Sequence, residues 1–234
     1  SDTITLGAGI DTVNAGGNSD TVSSIGLGDT VDLDNDADTA VFSTVGGAVI
    51  SGGEGGTDSD TLQIDSTTAP MTIDLSVTGG QQVTGAASTW ANFENLDADA
   101  VGVVDNLTVF ANAAGSVITT GSGDDVVTLA VNANADNVTL GDGSDTINNI
   151  GDNDTINLGD GDDTATYTTA VAATIDGGEG NETNGDTLNL TTTGPMTFDL
   201  SLGGLNNQVT AGGAGSSWRN FENLSAGGST HALT

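Results

Sequence analysis

Single apolar residues recur every nine positions along this chain, at Ile4, Val13, Val22, Val31 and Ala40, and again at Val138, Ile147, Ile156 and Ala165. Each follows an aspartate and a polar residue that is almost always threonine. The aspartates form one ladder at Asp2, Asp11, Asp20, Asp29 and Asp38 and a second at Asp136, Asp145, Asp154 and Asp163, with Asp125 eleven residues ahead of it. Fixed long periods mark repeat architectures, and the unit here is nine residues. In residues 6–14, Leu-Gly-Ala-Gly-Ile-Asp-Thr-Val-Asn, the first six read as a turn and the last three as a short strand. Glycine supplies the positive φ of the turn, and Thr and Val suit a pleated strand. Alternation with period two points Val13 inward and Thr12 and Asn14 outward. Two nonapeptides per coil stack residues eighteen apart along a parallel sheet, at a strand spacing of about 4.8 Å. Asp2, Asp20 and Asp38 then line one side, and Asp11 and Asp29 the other. Asp136 with Asp154 and Asp145 with Asp163 repeat the arrangement.

A longer period lies on top, because residues 31–96 are echoed by residues 156–224. Gly52-Gly53-Glu54-Gly55 and Pro70-Met71 return 125 residues later as Gly177-Gly178-Glu179-Gly180 and Pro195-Met196, and the run from Trp90 to Leu96 returns 128 residues later as the run from Trp218 to Leu224. Upstream the offset becomes 134, since residues 4–7 match residues 138–141. The difference is one nonapeptide, which is how a modular solenoid varies when nine residues are one structural unit. The chain is a tandem duplication, divided into a nonapeptide ladder (1–40), wider coils ending in the first Trp segment (41–115), a second ladder (116–166) and a second set of wider coils (167–234). In the wider coils Trp90, Phe93, Trp218 and Phe221 read as core fillers.

Composition changes what such a solenoid can do. With 36 glycines and 3% aromatic residues an ordinary globular core is excluded, and 33 acids stand against one cation, Arg219, for a formal charge of −32. That charge repels nucleic acid and anionic membranes, so neither is a partner. Cysteine is absent, and no apolar run approaches a membrane span. The start at Ser1 suggests a processed or excised segment. With His231 as the only histidine and no Lys or Cys, nucleophilic triads have no support, and the chain reads as no enzyme. The outward threonines Thr3, Thr21 and Thr39, with Thr12 and Thr30, read as strand formers beside the acidic turns.

Stacked carboxylates that nothing in the chain can neutralise call for a cation. Calcium is hard and takes six to eight oxygens from aspartates and main-chain carbonyls alike, whereas zinc prefers His or Cys. The candidate calcium ligands are therefore the ladder aspartates and the carbonyls of the turn glycines. In the first ladder these glycines are Gly7, Gly9, Gly16, Gly26 and Gly28, with Asp34 and Asp36 as extra acids. In the second they are Gly121, Gly123, Gly141, Gly143, Gly151, Gly159 and Gly161. Gly53 and Gly55 lead into Asp60, as Gly178 and Gly180 lead into Asp186. Asp142, Asp160 and Asp162 are further ligands or solvated charge. Several ions per chain are expected.

The series Gly7-x-Gly9-x-Asp11-x-Val13, Gly121-x-Gly123-x-Asp125-x-Val127, Gly141-x-Gly143-x-Asp145-x-Ile147 and Gly159-x-Gly161-x-Asp163-x-Ala165 resembles the glycine-aspartate nonapeptides of RTX proteins. The family pattern opens with glycine where this chain has Leu6, Thr120, Leu140 and Leu158, and Ile25 and Ile150 depart further. The resemblance implies an all-β, right-handed parallel β-roll or β-helix solenoid that leaves a bacterial cell unfolded by type I secretion and folds outside on binding calcium. The expected function is a structural, self-assembling extracellular protein of the S-layer or filament kind. The alternative is a spacer or secretion module of a larger adhesin or enzyme. Ser1 begins inside a nonapeptide and Ala232-Leu233-Thr234 runs toward another, so head-to-tail or lattice self-association is expected. Any anchor to cell-surface polysaccharide lies outside this segment.

Overall fold

The computed structural model describes all residues except 43–46, 56–58, 66–69, 85–86, 100–105, 113–114, 131–134, 152, 169–171, 192–194, 205, 212–214, 228–231 and 234. His231 and Asp152 lie outside the described residues. Those described form strands and turns with no helix, and no helix is long and apolar enough to cross a membrane.

The strands coil into a parallel solenoid. A ten-stranded sheet runs in the order Thr3–Thr5, Thr21–Ile25, Thr39–Phe42, Thr61–Ile64, Asn95–Asp97, Val117–Ser122, Asn137–Asp142, Thr155–Asp160, Thr174–Asp176 and Ser217–Arg219. The strands between them belong to a four-stranded sheet, from Thr12–Asn14 through Thr30–Asp32 and Val49–Ser51 to Thr89–Ala91, and to an eight-stranded sheet that ends in Asn223–Ala226, while Thr197–Phe198, Val209–Ala211 and Ala232–Leu233 form a small three-stranded sheet. Two nonapeptides do complete one winding: Thr3 pairs with Thr21, Thr12 with Thr30, and Asn137 with Thr155. Where windings are longer the register of inward residues survives, since Thr39 pairs with Thr61 and Thr164 with Thr187. Added residues go into turns because a one-residue slip within a strand would reverse its faces.

Between the sheets lies one row of apolar side chains per strand, and Val22, Val31, Ile118, Val138, Ile147 and Ile156 are buried. Ile4 and Val13, in the end strands of their sheets, are only partly covered. Several strands are longer than the three residues expected. Asn137–Asp142 and Thr155–Asp160 run on through the first turn glycine, with Gly121, Gly141 and Gly159 in register. The cause is Leu140 and Leu158, fully buried where a turn glycine would stand, each adding one more inward position.

The two copies occupy opposite faces. Thr61–Ile64 and Asn95–Asp97 lie in the ten-stranded sheet, whereas their repeats Thr187–Leu190 and Asn223–Ala226 lie in the eight-stranded one. A nonapeptide is half a winding, so an odd number of halves between copies turns the second about the axis. Trp90, Phe93, Trp218 and Phe221 are all buried in the core. Trp90 packs edge-on against Phe42 at 5.2 Å, and Trp218 against Tyr167 at 4.6 Å between ring centroids. In both copies a buried glutamine clasps the Phe backbone: Gln82 Nε2 donates to Phe93 O at 2.8 Å while Phe93 N–H donates to Gln82 Oε1, and Gln208 does the same to Phe221.

Two turn glycines separate backbone strain from close stacking. Gly9 and Gly161 have φ of +139° and +137°, yet a Cβ at Gly9 meets open space and one at Gly161 runs into the carbonyl oxygen of Gly143, one winding back. Gly9→Ala is expected to cost about 1–3 kcal/mol of backbone strain. Gly161→Ala is expected to cost about 2 kcal/mol more, as overpacking does. Thermal unfolding in saturating calcium checks this, and equal losses would contradict the stacked-turn arrangement.

Candidate metal centre

Each ladder aspartate sits one residue before a strand, and all are buried except Asp2, which is exposed, and Asp11, which is half-buried. Asp20, Asp29, Asp38, Asp60, Asp125, Asp136, Asp145, Asp154, Asp163 and Asp186 are all at most 3% exposed. Burial of a carboxylate needs hydrogen-bond partners, and the winding before supplies one. Asp20 N–H donates to Asp38 Oδ1 at 2.6 Å, Asp38 N–H to Asp60 Oδ1 at 2.8 Å, and Asp60 N–H to Glu94 Oε2 at 2.8 Å. On the opposite face Leu107 N–H donates to Asp125 Oδ1, and the chain continues through Asp145, Asp163 and Asp186 to Glu222 Oε2, with distances of 2.7–2.8 Å. Asp2 to Asp20, Asp11 to Asp29 and Asp136 to Asp154 follow the same rule. The periodic aspartate thus stitches each coil to the previous one.

Only one carboxylate oxygen makes this bond. The other, Oδ2, is buried without a hydrogen-bond partner at Asp20, Asp125, Asp145, Asp163 and Asp186. Asp29 and Asp154 differ: their Oδ2 atoms accept from Gly26 N–H at 2.8 Å and Gly151 N–H at 2.9 Å. These are the turns where Ile25 and Ile150 replace glycine, and there the carboxylate caps its own turn.

Burial raises the pKa of the partnerless groups. It pushes Asp145 up to about 8, against the opposing Asp125 N–H bond, with the charges of Asp125 and Asp163 adding to the rise. Asp186 is likewise pushed up to about 8 and Asp163 to about 6, and Asp125 is raised, in each case mainly by desolvation. Arg219 brings no relief, because its Nε donates to Asp176 Oδ2 at 2.8 Å on the outer surface.

The turn glycines follow the ladders. A Cβ at Gly141, Gly159 or Gly178 would strike the carbonyl of Gly121, Gly141 or Gly159, and one at Gly143 that of Gly123. Gly53 is held against Asp34 O and Gly55 against Asn35 Oδ1. Some carbonyls are already engaged: Gly16 O, Gly26 O, Gly55 O, Gly151 O and Gly180 O each accept a backbone N–H. Gly7 has open space around it, and a Cβ at Gly28 would meet only the Ile10 side chain.

The extra carboxylates lie outside. Asp36 Oδ2 accepts from Asn18 N–H, and Asp34 Oδ1 from Asn35 Nδ2. Asp124, Asp142, Asp160 and Asp162 line an open cleft of about 260 Å³. Asp162 is a loop cap there. Backbone N–H groups of Asn184 and Thr183, then the Asn184 side chain, hold it down at about 2.

Glu94 and Glu222 complete the ladders without having been singled out in the sequence. Glu-Asn-Leu is the ladder's Asp-Thr-apolar triplet with each polar residue exchanged for a relative, and that was the available signal.

The donor set fits a hard cation. Buried, partnerless carboxylate oxygens and the carbonyls of closely stacked glycine turns are oxygen ligands throughout, with no nitrogen or sulfur. No protein-family model matches the chain, and no curated protein matches it in sequence.

Proposed function

We propose that the chain is a calcium-dependent structural solenoid of the RTX β-roll type that folds and works outside a bacterial cell. The observation that carries this reading is the partnerless Oδ2, repeated winding after winding in a chain with a single cation. Asp125, Asp145 and Asp163, with the glycine carbonyls of the adjoining turns, would hold the ions. Bound calcium supplies positive charge to carboxylates that the fold has already desolvated. The chain's own residues do the rest: Oδ1 fixes each carboxylate against the neighbouring backbone, and Leu140 and Leu158 keep water from the inner side.

Extracellular modules bind calcium at about 10⁻⁴–10⁻³ M, so sites of that strength stay empty in a calcium-poor cytosol and fill after export. Coupling of many such sites to one fold makes folding steep in calcium. A far-UV circular dichroism titration is expected to show one cooperative rise to β structure in that range, and a flat signal would contradict the proposal.

Self-assembly is the second part of the reading. Edge-to-edge contact between parallel solenoids of this kind would be heterologous and would build open polymers. Electron microscopy in calcium separates the forms: lattices or filaments support a surface-layer or filament subunit, and dispersed rods support a spacer or secretion module of a larger protein.

A further inference from the structure

We propose that Glu182, Asp186 and Glu222 form a separate binding site for a hard divalent cation, calcium above all, which fastens the loop before the strand Thr187–Leu190 to the second aromatic winding. Glu182 stands in no ladder, and the site would exist whether or not the nonapeptide turns bind calcium.

One carboxylate oxygen from each of the three residues lies within 4.8 Å of the others. Proximity alone would mean little in so acidic a chain. Two further observations point to a ligand. Asp186 is fully buried, and its Oδ2 has no partner, since Asp163 N–H occupies Oδ1. Glu182 Oε1 is also buried and partnerless. Glu222 Oε2 accepts from Asp186 N–H at 2.8 Å, which fixes its head beside the other two.

The backbone around them is anchored independently. Asp162 accepts from Thr183, Asn184 and Gly185 N–H groups, and Asn223 Nδ2 donates to Asn184 O and Gly185 O. Three acids are thereby held together with no cation among the described residues beside them, and burial followed by the Glu222 charge raises the Glu182 pKa. Three carboxylates and no nitrogen or sulfur select an oxygen-preferring ion, and calcium accepts irregular and bidentate carboxylate sets where magnesium demands near-ideal octahedral geometry.

The test is calcium stoichiometry by equilibrium dialysis on the full chain and on Glu182→Gln, a neutral isostere. The variant is expected to bind one ion fewer, or one ion about tenfold more weakly. Unchanged stoichiometry and affinity overturn the proposal. Manganese-soaked crystals of the wild-type chain give a second reading that needs no variant. An anomalous peak among the three carboxylates supports the site, and peaks elsewhere only, or none, overturn it. Failure of the ladder reading looks different, as a calcium-independent fold that still binds an ion at Glu182.

Discussion

Stripped of metal near pH 8, the chain is expected to lose most of its β-sheet signal and to recover it as the pH falls toward 4. Asp145 and Asp186 are pushed up to about 8 and Asp163 to about 6 in the folded chain, against about 3.9 for an unfolded aspartate. Below about pH 4 both states carry the proton, and the fold keeps its full stability. As pH rises from there the unfolded chain releases protons that the folded chain retains, so stability falls until the folded groups also ionise. Every tenfold gain in proton affinity on folding is worth about 1.4 kcal/mol at most, and less after solvent screening. Together the three still weaken a metal-free fold by several kcal/mol, comparable with the stability of a small domain. Relief of the −32 charge acts in the same direction. Calcium reverses the slope, because acid then displaces the ion. Circular dichroism across pH in chelator, in dilute solution because the isoelectric point is near 4.1, checks this. A metal-free fold that strengthens toward pH 8 would contradict it.

Asp145→Asn is expected to change sign with calcium. Asparagine keeps an oxygen for Asp125 N–H and replaces the partnerless carboxylate oxygen with a neutral group. The metal-free chain should gain roughly 1–3 kcal/mol near pH 8, because the unfavourable ionisation of a desolvated carboxylate is removed. In calcium the same change removes a ligand charge, and the folding midpoint should rise about tenfold in calcium concentration. Asp29→Asn is the control. Both Asp29 oxygens accept backbone N–H groups, from Asp11 and Gly26, so one acceptor is lost and destabilisation of about 1–3 kcal/mol is expected with or without calcium. Paired denaturant melts in calcium and in chelator distinguish the cases. Asp145→Asn destabilising in both would mean that its carboxylate is only a cap.

The nine-residue spacing was enough to read the coil, its register and its apolar row, because period and face are set locally by Asp-Thr-apolar triplets. It did not carry the six-residue strands, which depend on Leu140 and Leu158 finding core space across the coil. Nor did it separate the two duties of an aspartate. A carboxylate that caps a backbone N–H and one that holds an ion have the same spacing, and only the Gly26 and Gly151 bonds mark Asp29 and Asp154 as caps. Glu222 was hidden by its exchange for aspartate. Glu182 was hidden because the loop that carries it has one residue more than its counterpart after Gly55.

If calcium completes the inward carboxylates, difference density from a crystal grown in calcium will show it at Oδ2 of Asp125, Asp145 and Asp163. An ion is expected at about 2.3–2.6 Å from each of these atoms, with oxygen ligands around it. Ordered density with no ion there, and Oδ2 still buried or bound only by protein donors, would mean that calcium does not hold this solenoid together.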